Sequence, residues 1–124
     1  MAKKIMVVDD EANIVHYLVT LFSDNGYETC SAGNGTEALE VLKREKPDLI
    51  TLDLDMPEDA GPMVYRKMTK DKAFQDIPVI VVSGLSAPHR AIKKAAAVVS
   101  KPFDPERMVK LVKDILANLE TPRD

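Results

Sequence analysis

The residues able to do chemistry sit at the ends of apolar runs. Asp9, Asp10 and Glu11 follow "KIMVV"; Asp53 and Asp55 close "LITLDLDMP" (49–57); Ser83 and Gly84 close "PVIVVSG" (78–84); and Lys101, with Pro102 and Phe103, follows "AVVS" (97–100). If the first and third runs are neighbouring strands, Asp9, Asp10 and Asp53 converge. Carboxylates held that close repel one another, and a hard divalent cation with oxygen ligands is the natural compensation. A hydroxyl at Ser83 and an ammonium at Lys101 then face this acid cluster. The set suits phosphoryl transfer: cation and lysine spread the phosphate charge, the hydroxyl donates to it, and a carboxylate attacks. Each residue has a plainer reading: Asp10 as a helix N-cap, Lys101 as a solvated strand-end charge, Ser83 as a turn residue. Their joint placement at different strand ends favours the chemical reading.

The elements that must position them alternate along the chain. Strands are predicted over 4–9, 27–32, 47–54, 77–84 and 97–100, the third and fourth being continuous apolar runs of buried type. Between them, 11–26 carries Ile14, Leu18, Leu21 and Phe22 at helical spacing and stops at Gly26. Residues 34–46 open on Asn34 as N-cap with Glu37 three positions on, resembling a capping box. Weaker helical patterns run over 60–72 and 88–97, and the last helix starts at Asp104 with Pro105 in its first position. Strands alternating with helices imply a parallel sheet covered on both faces, a three-layer α/β domain. Ligands of such sheets bind beyond the carboxyl ends of the strands, where the acids, the hydroxyl and the lysine lie.

A chain of 124 residues is one domain's length. Its net charge of −3 and the lack of a basic block argue against a nucleic-acid surface. Cys30 is the only cysteine, so no disulfide forms within the chain. No apolar stretch approaches membrane-spanning length, and the start "MAKKIMVVDD" offers only four apolar residues before acid arrives, too few for a signal peptide. A cytoplasmic protein without membrane contact is expected.

"VVDDE", "LDLDMPEDAG" with Gly61 eight positions after Asp53, "PVIVVSG" and "SKPF" together resemble the receiver domain of two-component response regulators, the CheY-like superfamily. The resemblance covers residues 3–119. It implies a flavodoxin-like fold with strand order 2-1-3-4-5, a receiver domain over 1–119 and a C-terminal tail over 120–124. It implies that Asp53 is the phosphoryl acceptor, that Asp10 ligates Mg2+ directly with Asp9 acting largely through water, and that Asp53 completes the metal site with the backbone carbonyl of Asp55. The Asp55 side chain is left at the mouth of the site; of the two aspartates, only Asp53 is expected to face Asp10 and Lys101. Ser83 would hydrogen-bond the phosphoryl group, Lys101 would pair with it, Gly84 would leave open space beside it, and Lys101–Pro102 would be a cis peptide. The implied partners are a sensor histidine kinase or phosphotransfer protein and an unnamed downstream protein, with the chain a monomer or weak homodimer, either free-standing or cut from a longer regulator.

Two departures from the family pattern bear on output rather than chemistry. Val98 stands where the family usually has an aromatic switch residue, and the stretch from Ser83 to Lys101 is about one helical turn short. The helix over 88–97, the fourth in chain order, is therefore expected to be shortened or poorly ordered, and phosphorylation to act on the order of residues 84–97. His16 and His89 read as surface imidazoles; Met56, Met63 and Met68 read as packing residues. Two other functions fit parts of the pattern. One is a degenerate receiver that only binds a partner. The other is a haloacid-dehalogenase-like phosphatase, opposed by the motif's place on the third strand and by the short chain.

Overall fold

The computed structural model describes residues 2–84 and 95–120. Five parallel strands form one sheet: β1 (Lys4–Val8), β2 (Glu28–Ala32), β3 (Leu49–Asp53), β4 (Val79–Ser83) and β5 (Ala97–Ser100), in the order β2-β1-β3-β4-β5. Four helices are described: α1 (Ala12–Asp24), α2 (Gly35–Glu45), α3 (Ala60–Lys70) and α4 (Pro105–Glu120). His89 and residues 88–94 of the expected helix lie outside the described residues; of its last three positions, Ala95 and Ala96 are not helical and Ala97 opens β5.

Side chains alternate across a strand, and here each face of the sheet buries its own core. Met6, Val8, Ile50, Leu52 and Val81 meet Val41 and Leu42 of α2 and Val64 and Met68 of α3. Ile5, Val7, Leu49, Ile80 and Val82 meet Leu18 and Phe22 of α1 and Met108, Val112 and Leu116 of α4. That is why β1, β3 and β4 read as uninterrupted apolar runs, while β5 alternates between half-buried and exposed residues and leaves Val98 50% exposed. Met56 and Met68 are buried in the first core, as expected of gap-filling side chains, and His16 is exposed.

Local signals fix the helix ends. Asn34 Oδ1 accepts the Glu37 N–H at 2.8 Å, satisfying one of the donors a helix start leaves open. Asp104 does the same for α4 by accepting the Glu106 N–H at 3.0 Å. Gly26, at φ +90, turns the chain from α1 into β2 in a conformation that a side chain resists. Between β3 and α3 a short 3-10 turn, Pro57–Asp59, was not foreseen; inside it Glu58 takes φ +61. Among the described residues no helix is long and apolar enough to cross a membrane.

Candidate functional site

β1 and β3 pair directly, Val8 opposite Leu52, which brings the acids that follow them side by side. Asp9, Asp10 and Asp53 each offer a carboxylate oxygen within 4.8 Å of the others. Asp9 and Asp53 are only 2% exposed, whereas Asp10 is exposed at the rim. Asp10 does not cap α1: the N-cap is Glu11, whose side chain makes no capping bond, and its N–H goes to Asp9 Oδ1 at 2.9 Å.

Lys101 closes the cluster from β5. Its Nζ lies 3.2 Å from Asp53 Oδ1 and 3.7 Å from Asp9 Oδ2. Its backbone N–H donates to the Ser83 carbonyl at 2.9 Å, so the ends of β4 and β5 are tied together, and the Lys101–Pro102 peptide is cis. Burial lowers the Lys101 pKa, but the charges of Asp53 and Asp9 outweigh this and leave it raised. Burial pushes the Asp9 carboxyl up to about 6; the Glu11 amide opposes that shift and the Asp53 charge adds to it.

The two oxygens of Asp53 differ. Oδ1 accepts from the Asp55 N–H at 2.8 Å and from Lys101. Oδ2 is buried and has no hydrogen-bond partner among the described residues. A buried carboxylate oxygen without a donor is costly, and here it belongs to a cluster of hard oxygen donors. This donor set, three carboxylates against one ammonium, fits a small divalent cation.

Asp55 lies exposed at the mouth, and of the two aspartates only Asp53 pairs with Lys101 and joins Asp9 and Asp10; residues two apart share a side of a strand, so the Asp55 carboxylate nonetheless stays beside the site. It reaches across to β4, where Oδ1 accepts the Ser83 hydroxyl at 3.0 Å and Oδ2 the Gly84 N–H at 2.7 Å. The space beside Gly84 is not open: a Cβ there would lie 3.3 Å from Asp55 Oδ2. Spacing alone gave no sign of this bridge, which depends on the β3–β4 pairing.

A second contact was missed. Gly61, on the first turn of α3, packs so closely on β3 that a Cβ would lie 2.5 Å from the Asp53 carbonyl oxygen and 2.9 Å from Leu54 Cα. The sequence carried the signal, a glycine at fixed spacing after Asp53, without saying what it touches. A 770 Å³ groove beside Asp10, between α2 and the β3–α3 turn, is lined by neither Asp53 nor Lys101.

Comparison with known proteins agrees with this arrangement. Residues 5–113 match the response regulator receiver domain family. Protein Rrf1 of Nitratidesulfovibrio vulgaris is 34% identical over 117 residues, covering 94% of this chain and 85% of that protein. The probable transcriptional regulator ycf27 of Porphyridium aerugineum is 36% identical over 95% of this chain, which spans 50% of that relative's length. Among solved structures, the signal receiver domain of a signal transduction histidine kinase from Syntrophus aciditrophicus superposes with a TM-score of 0.86 at 29% identity, covering 99% of this chain and 96% of that one.

Proposed function

The chain belongs to the response regulator receiver domain family, and on that premise we propose that it is a phospho-acceptor signalling module whose acceptor is Asp53. The observation that carries this reading is the asymmetry of the Asp53 carboxylate. Oδ1 is held by two donors, while Oδ2 keeps its lone pairs unengaged in a buried site. A nucleophile fixed by one oxygen and free at the other is already positioned for attack.

The donor is a phosphohistidine on a sensor histidine kinase or phosphotransfer protein. Asp53 Oδ2 forms the new O–P bond as the P–N bond breaks, and that electron pair returns to the donor imidazole. Lys101, already paired with Asp53, offsets the added charge. Asp9, Asp10, Asp53 and the Asp55 backbone carbonyl would hold Mg2+, which when bound supplies the positive charge that these carboxylates and an incoming phosphate lack. Water later takes the phosphoryl group from Asp53. The product is an altered surface read by a downstream protein, so the module serves signalling and not turnover of a metabolite. We take 1–119 as the receiver unit and 120–124 as a tail, working in the cytoplasm beside its kinase.

Intact mass after treatment with a small phosphodonor and Mg2+ tests the reading. A gain of one phosphoryl group should disappear in Asp53→Asn and persist in Asp55→Asn. An adduct that persists in Asp53→Asn would sink the assignment.

A further inference from the structure

The Asp55 carboxylate uses both of its oxygens on the end of β4, one on the Ser83 hydroxyl and one on the Gly84 N–H. A hydroxyl and a backbone N–H converging on paired oxygens form an anion cradle. This cradle adjoins Asp53, because Leu54 N–H donates to the Val82 carbonyl at 3.0 Å and Lys101 N–H to that of Ser83. A phosphoryl group on Asp53 would need the donors that Asp55 now holds, and its added charge would repel the Asp55 carboxylate.

We propose that the Asp55 side chain is an internal competitor for the phosphoryl site. It clamps Ser83 and Gly84 while Asp53 is unmodified and is expelled when Asp53 carries phosphate. This rests on the phospho-acceptor reading of Asp53. Asp55 is then a positioning residue with two effects. It opposes accumulation of the phosphorylated form, and its departure changes the hydrogen bonding of Gly84, the last described residue after β4. The backbone carbonyl of Asp55 is untouched by side-chain substitution, so cation binding and clamping are separable.

The test compares wild type, Asp55→Asn and Asp55→Ala, each with Mg2+, using beryllofluoride as the phosphoryl mimic. Two charge-assisted bonds must be given up by wild type and none by Asp55→Ala, so affinity should tighten about tenfold or more in Asp55→Ala, with Asp55→Asn between. The gain should survive 0.5 M salt, whereas simple removal of a distant negative charge is screened there. Hydrogen exchange and the chemical shift of the Gly84 amide supply the second readout. The amide should be protected in free wild type, exposed in free Asp55→Ala, and protected again in both once the mimic binds. Equal affinities across the three proteins, a gain that vanishes in salt, or a Gly84 amide indifferent to Asp55 each overturn the clamp. If neither beryllofluoride nor a phosphodonor modifies Asp53 in any variant, the acceptor reading itself fails and the competition with it. Modification that is equal in all three overturns the competition alone.

Discussion

Replacing Gly61 by alanine puts a methyl group against the backbone that carries Asp53. The new Cβ would lie 2.5 Å from the Asp53 carbonyl oxygen, 2.9 Å from Leu54 Cα and 3.3 Å from the Asp53 carbonyl carbon. All three atoms are main chain at the end of a central strand, so no side chain can swing aside. Reaching even 3.0 Å from the oxygen needs a shift of about 0.5 Å, and ordinary contact at 3.4 Å needs about 0.9 Å. Overpacking of this kind costs about 1–3 kcal/mol, less about 0.5–1 kcal/mol returned by replacing glycine within a helix. A net loss of up to about 2.5 kcal/mol lowers Tm by up to roughly 10 °C in a domain of this size. The chemical effect should be larger in proportion, since a misplacement near 1 Å slows a positioned reaction by up to about a hundredfold. Thermal melts and the rate of phosphoryl gain by intact mass, with Mg2+ and a small phosphodonor, give both numbers. Gly26→Ala is the control: no atom lies within 4 Å of its Cβ, but its φ of +90 strains any side chain, costing roughly 1 kcal/mol far from the site. It should melt lower and still accept phosphate at the wild-type rate. If Gly61→Ala matches wild type in rate, or if Gly26→Ala loses rate equally, α3 does not set the position of Asp53.

Two further outcomes are expected of the acid cluster. Millimolar Mg2+ should raise the Tm of wild type, by about 1.4 kcal/mol of stability at ten times its Kd; Asp10→Asn should lose most of that gain, and an equal gain would place the ion elsewhere. In EDTA, the Asp9 pKa raised to about 6 from an ordinary 3.8 makes its contribution greatest below the unfolded value and lost as pH rises through about 6. A shift of that size is worth up to ~3 kcal/mol; urea midpoints at pH 4.5 and 7.5 should show wild type losing more stability than Asp9→Asn over that range, and identical slopes would refute it.

The sheet was legible because continuous apolar strands and amphipathic helices have different periods, and burial on both faces leaves only Thr51 as a polar residue between the ends of β1, β3 and β4. The helix starts at Asn34 and Pro105 were legible because caps act locally. What the sequence hid is tertiary. The left-handed Glu58 goes against that residue type's preference and is held by the turn leading into α3. The left-handed Lys46 that ends α2 takes a role usually given to glycine. The turn of Asp55 towards Ser83 follows from strand neighbours twenty-eight positions apart in sequence. The acids, serine and lysine could be gathered from strand ends by the fold rule alone; which oxygen of Asp53 is held, and by what, is set by the Asp55 amide and by Lys101 forty-eight positions away.

The strand order carries a consequence for how the chain matures. Asp53 arrives with the central strand, its neighbours Asp9 and Asp10 with the first, and Lys101 only after the last, at an edge of the sheet. Parallel pairings join distant stretches of chain and form late in folding. A nascent or partly folded chain that has paired β1 with β3 therefore gathers its carboxylates with no ammonium to offset them, and the tie from Lys101 N–H to Ser83 waits on β5. On the phospho-acceptor reading, only chains whose final strand has docked present Asp53 together with its ammonium partner.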